Sequence, residues 1–471
     1  MRLFSSKKRS VHEGPYPMEL LKRGPMPDLK SIPKMEAISF RRPKQPNSIV
    51  NAMCEYQAML DAIRDGFINK ARSEIPNDKI ERSNHFKAFG YFSDAAVVGI
   101  CKLSSNNILD IPIHNPDITP LAEALRTRQT KTLASGIDLI MADLKESMEA
   151  PPTTIKGHTH AIVFLYENPR QIKKSEAGVE WLENALSHRA CLRANETSAV
   201  IANYIRLLGF DAKSHSGAAS DVDLNQLAVS SGLVWVKGNH LVAPYIGANF
   251  GLSAVTCKID LEVDRPLAPV EAQSWFKTKG PRWWLGINSE KNVLNKDPYS
   301  KRNFVDGAHP FERLKRVDKP TTFIDEASVA RVPKRTDMFA RAQFGDMGKT
   351  IQKGATGGHY VRKSAPSSAQ RRALGAFVLL QDGEPKASSI QLKNEKKNSD
   401  NIKAASYFLG VDAVGISRCP EWAWYSHDAT GAPIDPPHSN AISMIIDQGY
   451  ETMEGASGDD WISVAQSMRA Y

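Results

Sequence analysis

Residues 194–215 read ANETSAVIANYIRLLGFDAKSH, and this segment sets the fold class. Its apolar residues recur every three or four positions as far as Leu208, which predicts a helix over 194–208 with one buried face. Gly209 stands just after the last helical residue, where helices commonly end. Residues 210–214 then predict a strand. A helix that turns directly into a strand is typical of a layered α/β domain.

Further elements flank this segment on both sides. They are predicted helices at 53–67, at 120–148 and from Asp221 or Asp223 to 229, strands at 95–103, 160–166 and 254–263, and a hairpin of 233–237 and 240–244 about Gly238-Asn239. Their order predicts one α/β domain over 46–270. Residues 1–45 precede it as an extended, proline-rich arm.

The composition excludes several classes of protein. Of the 471 residues, 41% are hydrophobic and 24% are charged, which matches a globular protein and excludes a mainly disordered, collagen-like or coiled-coil chain. We predict no membrane segment, because no run approaches the ~18 apolar residues that a spanning helix needs. The arm lacks the apolar core of a secretory signal, so we expect a cytoplasmic protein. A net charge of +9 is compatible with an anionic ligand without indicating nucleic acid.

The cysteines indicate thiols rather than a local metal site. The five are Cys54, Cys101, Cys191, Cys257 and Cys419, each far from the next in sequence. This spacing excludes a Cys-x-x-Cys metal or cluster motif. An odd, widely spaced set fits reduced cysteines in a cytoplasm.

The chain also contains an internal sequence repeat. Seven residues recur 316 positions later in the same order: Lys87, Ala88, Tyr91, Phe92, Val98, Gly99 and Ile100 match Lys403, Ala404, Tyr407, Phe408, Val414, Gly415 and Ile416. Ala161-Ile162 likewise resembles Ala441-Ile442. We interpret 401–471 as the start of a second copy of the domain and the polar, tryptophan-containing stretch 271–400 as a connector.

The second copy is expected to be incomplete. The predicted helix at 461–471 has no capping residue at its end and no strand after it. The alternative is a true terminal helix that packs elsewhere on the molecule.

The densest candidate site is RCPEWAWYSHD at 418–428, directly after a predicted buried strand. Tyr425 in this loop can act as a general acid when nearby cations stabilise its phenolate. The alternative is an aromatic cluster that covers the end of the sheet.

Three histidines are lesser candidates. His215 fits either a ligand contact or a satisfied structural histidine. His158 and His160 share one face of a strand. We predict no metal site here, because no third ligand is evident.

Residues 418–428, together with 439–447 and 199–215, resemble corrinoid-dependent reductive dehalogenases of the soluble, non-exported branch. The resemblance covers about 36–471, and epoxyqueuosine reductases share the core more distantly. It implies an α/β (α+β) fold, in which a nitroreductase-like sandwich domain is duplicated. The first copy is then degenerate, and the second binds the corrinoid. Two [4Fe–4S] clusters are implied for the complete protein, and because their cysteine motifs are missing here, we expect a chain truncated before the iron–sulfur region.

The resemblance also implies roles for individual residues. Tyr425 matches the tyrosine that donates a proton as the halide leaves, and Trp422, Ser426 and His427 would line the cobalamin cavity. The implied partners are a halogenated aromatic substrate and an electron donor such as a ferredoxin or flavin reductase, with no nucleic acid and no membrane. Three alternatives stay open: a non-catalytic binding module, an epoxyqueuosine-reductase-like enzyme acting on tRNA, and a flavin nitroreductase-like protein.

Overall fold

A computed structural model describes residues 14–38, 47–127, 153–169, 171–273, 312, 314–319, 321–355, 365–375, 377, 394–428 and 430–446. The helices in these ranges are α1 Val50–Ala62, α2 Lys79–Phe92, α3 Ile118–Thr127, α4 Val179–Leu182, α5 Leu186–Leu207, α6 Leu224–Ser230, α7 Met338–Gln343, α8 Lys349–Ala355, α9 Ala365–Leu374 and α10 Glu395–Leu409. The strands are β1 Val97–Lys102, β2 Ile108–Ile113, β3 His160–Glu167, β4 Ala212–Ser216, β5 Ser220–Val222, β6 Trp235–Lys237, β7 His240–Val242, β8 Phe250–Cys257, β9 Ala413–Arg418 and β10 Asn440–Ile445. Among the described residues, no helix is both long and apolar enough to cross a bilayer.

The centre of the molecule is a four-stranded antiparallel sheet in the order β1-β3-β8-β4. Alternate residues of β3 face opposite layers, as the two-residue period of a strand requires. Ile162 and Phe164 pack with helices α1, α2 and α5. Ala161 and Val163 pack with α6 and with the arm, where Met18, Leu21 and Ile32 are buried. The predicted mixed α/β fold class is therefore confirmed.

The helix predicted over 194–208 is present and is longer than predicted. It is α5, and Gly209 follows it at φ +85°, where a Cβ atom would lie 2.6 Å from the carbonyl oxygen of Ala71. Asp223 caps α6, with Oδ1 accepting hydrogen bonds from the N–H groups of Asn225 and Gln226. Gly238 lies at φ +59° in the predicted hairpin turn between β6 and β7.

Two strands differ from the prediction. Strand β8 runs over Phe250–Cys257 instead of 254–263, because Glu167 pairs with Phe250 and both neighbouring strands begin opposite Cys257. Strand β2 was not predicted. It pairs with β5. Its sequence ILDIPI contains an internal proline, which disfavours a strand, and most of its residues are exposed.

The stretch predicted as a connector contains ordered helices. Helix α9 lies against α5, and its Ala369 and Ala373 are buried in the same core as α1 and α2. Its buried positions are small or polar, such as Ser367 and Ser368. A search for large apolar residues at helical spacing misses a helix that packs by close approach.

The internal sequence repeat coincides with two units that have the same order of helix and paired strands. Helix α2 and strand β1 begin 316 residues before α10 and β9. Strand β1 pairs antiparallel with β3, and β9 pairs antiparallel with β10. The register also agrees, since Ile100 faces Ile162 in the first unit and Ile416 faces Ile442 in the second.

Helix α10 joins the core of the first unit. Ala404, Tyr407 and Phe408 belong to the same buried cluster as α1, α2 and α5. The Arg189 guanidinium of α5 donates to the last carbonyl groups of α10, at 2.6 Å to Leu409 and 3.4 Å to Phe408. The predicted terminal helix at 461–471, most of the 128–148 part of the second predicted helix, and the tryptophans of 274–300 lie outside the described residues.

Candidate functional site

The candidate loop leaves strand β9 and passes through a 3₁₀ turn at Glu421–Ala423 before it reaches Tyr425. The Cys419 N–H donates to the carbonyl of Ser439 at 2.8 Å, which extends the β9–β10 pairing into the loop. Trp422, Tyr425 and Ser426 are half-buried, and His427 is exposed. The predicted position of the loop, directly after a strand, is therefore observed.

A second segment holds this loop from the side. The Ser426 N–H donates to the carbonyl of Val332, and the Lys334 N–H donates to that of His427, both at 2.9 Å. The Arg331 guanidinium donates to the carbonyl oxygens of Trp424 at 3.3 Å, Tyr425 at 2.8 Å and Ile434 at 2.6 Å. We call residues 331–337 the clamp segment.

Two charged side chains of the clamp segment meet the phenol of Tyr425. The hydroxyl donates to Asp337 Oδ2 at 2.9 Å, and Lys334 Nζ lies 3.4 Å from the hydroxyl oxygen and 4.5 Å from the ring centroid. Lys334 Nζ and Asp337 Oδ2 are 2.5 Å apart. The site therefore combines a proton-bearing hydroxyl, a hydrogen-bond acceptor and a cation.

The two charged partners shift each other's titration. Burial raises the pKa of Asp337, but hydrogen bonds from Lys334, the Ala340 N–H and Tyr425 outweigh it and bring the pKa to about 2. Burial lowers the pKa of Lys334, but its hydrogen bonds to Asp337 and Tyr425 outweigh that effect, and the net shift is upward. Both groups are therefore charged at neutral pH.

Sequence reasoning missed Lys334 and Asp337, because both lie in the stretch predicted as a connector. A usable signal was present: Asp337 stands before Met338-Phe339 as a helix-capping aspartate, and its Oδ1 accepts the Ala340 N–H at 3.0 Å. That pattern predicts a helix start. The pattern does not predict that the other carboxylate oxygen, Oδ2, contacts the candidate loop.

The tryptophans of the loop carry unused hydrogen-bond donors. The indole nitrogens of Trp422 and Trp424 are buried and have no hydrogen-bond partner among the described residues. Ser426 Oγ and His427 Nδ1 lie 3.0 Å apart. A buried N–H group without an acceptor is uncommon, so these two indoles fit a molecule that presents carbonyl oxygens to the loop.

The lesser candidate His215 is a core residue. Its Nδ1 accepts the Asp221 N–H at 3.2 Å, so Nε2 carries the hydrogen and donates to Thr256 Oγ1 at 2.8 Å. Thr256 then donates to His158 Nδ1 at 2.8 Å. Burial, with the nearby charges of Arg64 and Lys213, holds the pKa of His215 well below its ordinary value. The structure therefore favours the structural alternative for this histidine.

His158 and His160 end beside carboxylates rather than at a metal. Their Nε2 atoms lie 3.4 Å from Asp211 and 3.6 Å from Asp260. In the described ranges, no three histidine, cysteine, aspartate or glutamate side chains are grouped so as to hold a metal ion. Four of the five cysteines are buried at separate places in the core.

A cavity of about 480 Å³ lies in the first unit and not at Tyr425. Leu109 lines one wall of this cavity, and Lys213 and Asp221, which form an ion pair at 2.7 Å, line another. The described residues that line this cavity include no tyrosine.

Solved structures of reductive dehalogenases match this chain from end to end. One, whose structure suggests a mechanism for B12-dependent dehalogenation, is 34% identical with a TM-score of 0.77. The N-terminally tagged catabolic reductive dehalogenase NpRdhA is 33% identical with a TM-score of 0.75, and its complex with 3-bromo-4-hydroxybenzoic acid is 33% identical with a TM-score of 0.77. Each match covers 100% of this chain and 61% of the solved one.

The chain is a relative of the reductive dehalogenases. The resemblance predicted from residues 418–428 is confirmed, and this relative spans about three fifths of the length of the solved dehalogenases. No protein-family model and no curated protein matches the sequence. An epoxyqueuosine reductase from Streptococcus thermophilus aligns at 10% identity with a TM-score of 0.22, which is too low to support the tRNA alternative.

Proposed function

We propose that this protein functions in the reductive dehalogenation of a halogenated aromatic compound, with Tyr425 as the proton donor. In this reaction the carbon–halogen bond breaks and the halogen leaves as halide. The carbon gains two electrons, from a donor of the ferredoxin or flavin reductase class, and one proton. The observation that carries the proposal is a phenol held between Lys334 and Asp337 in a chain 34% identical to a reductive dehalogenase.

The proton step suits this phenol. A positioned acid contributes typically 10²–10⁴-fold to a rate, and the hydroxyl of Tyr425 is held at one end by the carboxylate of Asp337. When the O–H group turns from Asp337 and its proton moves to the substrate carbon, the neighbouring Lys334 ammonium stabilises the phenolate that remains. A proton from solvent then restores the phenol.

We propose cobalamin as the cofactor, held by Trp422, Ser426 and His427. When bound, cobalamin supplies low-valent cobalt that delivers electrons to the carbon–halogen bond. The loop fits the corrinoid in its donors, because the buried indole N–H groups of Trp422 and Trp424 find no acceptor in the part of the chain that the structure describes, and the corrin side chains carry amide carbonyl groups. Ser426 and exposed His427 add two further polar groups beside them.

Iron–sulfur clusters do not fit the residues of this chain. A [4Fe–4S] cluster needs four cysteine thiolates close together, whereas Cys54, Cys101, Cys191 and Cys257 are buried singly and Cys419 stands alone in the candidate loop. We derive no electron-transfer step through them.

We also propose that the fold is a duplicated nitroreductase-like domain. Two observations support a duplication: the common offset of 316 between α2–β1 and α10–β9, and the equal register of their strand pairs.

The test uses the full chain incubated with hydroxocobalamin and desalted. Titanium(III) citrate then serves as reductant and 3-bromo-4-hydroxybenzoic acid as substrate, and released bromide and debrominated product are measured. We expect Tyr425→Phe to lower the rate by about 100-fold or more, and Tyr245→Phe, a control in the first unit, to leave it unchanged.

Three outcomes would contradict the proposal. Retained corrinoid colour without bromide release favours the non-catalytic binding module. A folded protein that retains no corrinoid excludes cobalamin as the cofactor of this chain. A yellow protein after purification would favour the flavin alternative.

A further inference from the structure

We propose that Lys334 and Asp337 are positioning residues that orient the Tyr425 hydroxyl and act on its proton affinity in opposite directions. Their catalytic meaning rests on the proposed function, but the contact itself does not. The clamp segment would then be a working part of the site, although its sequence reads as a connector.

The carboxylate of Asp337 is fixed at both oxygens. Oδ1 accepts the Ala340 N–H at the start of α7, and Oδ2 accepts from Lys334 and from Tyr425. A carboxylate that is anchored in this way cannot rotate without losing a helix cap, which is worth about 1 kcal/mol. It therefore sets the direction of the phenolic O–H bond.

The backbone fixes the distance between the two segments. Two hydrogen bonds join Val332 and Lys334 to Ser426 and His427, the two residues that follow the tyrosine. Arg331 adds hydrogen bonds to two carbonyl groups of the candidate loop, those of Trp424 and Tyr425, and to the carbonyl group of Ile434. These bonds hold the backbone of residues 424–427 against the clamp segment, so the phenol of Tyr425 starts from a fixed point close to Lys334 and Asp337.

The charges around the hydroxyl divide into those that contact it and those that do not. Lys334 and Asp337 contact it directly, with side chains 31% and 16% exposed. Arg331 is engaged with backbone carbonyls, and His427 bonds Ser426. Arg335, one residue from Lys334, is paired with Asp346 at 2.7 Å and stacks on Phe344.

The two contacts act oppositely on the proton. Asp337 accepts a hydrogen bond that exists only while the phenol keeps its proton, so it stabilises the neutral form. Lys334 is attracted to the phenolate, so it stabilises the form left after proton transfer. Removing one partner at a time therefore moves the ionisation of Tyr425 in opposite directions, which loss of a structural contact alone would not do.

The experiment places 3-fluorotyrosine at position 425 of the full chain and follows its ¹⁹F NMR shift against pH. In Lys334→Met we expect the midpoint to rise by about one pH unit, and in Asp337→Asn to fall by a similar amount. Asparagine keeps the helix cap, so α7 is retained. The matched control, Arg335→Met, removes a neighbouring cation and should leave the midpoint unchanged.

Shifts in the same direction, no shift, or an equal shift in Arg335→Met would overturn the proposal. Should Lys334→Met misfold, Lys334→Gln repeats the test, and Lys334→Arg should keep the wild-type midpoint. The measurement needs neither cofactor nor substrate. Opposite shifts together with a fully active Tyr425→Phe variant would therefore refute the proton-donor role and leave the positioning role standing. An inactive Tyr425→Phe variant without opposite shifts would refute the positioning role alone.

Discussion

The unit α2–β1–β3 and the unit α10–β9–β10 share their order and the register of their strand pairs, but not their burial. In the first, Phe164 is fully buried, whereas the residue at the same register position of the second, Met444, is 58% exposed. Strand β3 has β1 on one edge and β8 on the other, while within the described residues β10 pairs with β9. Two strand pairs of the same register can thus differ in burial, because burial depends on what lies beside and above the strands.

The two units also keep a similar ion pair with different partners. Lys87 contacts Asp264 and Lys403 contacts Glu312, both at 2.7 Å. Tyr407 adds its hydroxyl to Glu312 at 2.7 Å. The helix supplies the same cation each time, while the carboxylate comes from a non-equivalent part of the chain.

The largest expected effect tests the difference in burial. We expect Phe164→Ala to lower the free energy of unfolding by about 3–5 kcal/mol, because it leaves a cavity in the core. Met444→Ala, its counterpart in the second unit, should cost about 0.5 kcal/mol or less. Urea denaturation measures both. Equal losses would mean that the β10 face is covered and that the two units do not differ.

A medium effect tests the ion pair of the second unit through pH. We expect Glu312→Gln to cost about 1–2 kcal/mol at pH 7, since it removes charged hydrogen bonds from Lys403 and Tyr407. Burial raises the pKa of Glu312, but these bonds outweigh it, so its folded pKa lies below the ordinary value of 4.5. The contribution is therefore complete well above pH 4.5 and is lost as pH falls through the lowered pKa.

Urea midpoints between pH 7 and pH 3 check this expectation. The difference between wild type and Glu312→Gln should shrink below pH 4.5. The exposed Glu326→Gln in the same connector serves as control. A difference that is constant with pH would show that the charge of Glu312 contributes nothing.

The smallest expected effect tests how the second unit is attached to the first. We expect Arg189→Met to weaken the carboxyl end of α10 by about 0.5–1 kcal/mol, because its guanidinium serves the carbonyl groups of Phe408 and Leu409. Hydrogen exchange of the last α10 amides measures the change. Lys397→Met, which breaks an exposed pair with Glu180, should change exchange by less. A larger change in hydrogen exchange for Lys397→Met than for Arg189→Met would show that the second unit is attached mainly through the amino end of α10.

Much of the first unit could be predicted from local sequence. The helix ending at Gly209, the buried strands β1 and β3 and the Asp223 cap each depend on neighbouring residues, so their patterns survive without tertiary information. Strand β2 and helix α9 were missed, because one is partly exposed and the other packs through alanine and serine.

The residues of the candidate site also fall into those that local sequence predicts and those that it does not. Tyr425 and its loop were identified from a segment that is continuous in sequence, and Trp422, Ser426 and His427 came with it. Lys334 and Asp337 lie about 90 residues earlier and reach the phenol through backbone pairing between two loops. No periodicity or spacing encodes such a meeting.

The sequence by itself determined the α/β class, the positions of the main strands, the internal offset and the loop that carries Tyr425. Each depends on interactions between residues close in the chain, whose side-chain pattern is visible as a period of two or of three to four. Only the tertiary structure decided that β10 is exposed where its counterpart β3 is buried, which helices of the connector join the core, and which cation and carboxylate meet the phenol. Those outcomes depend on contacts between distant segments, whose closure is governed by the packing of the whole molecule.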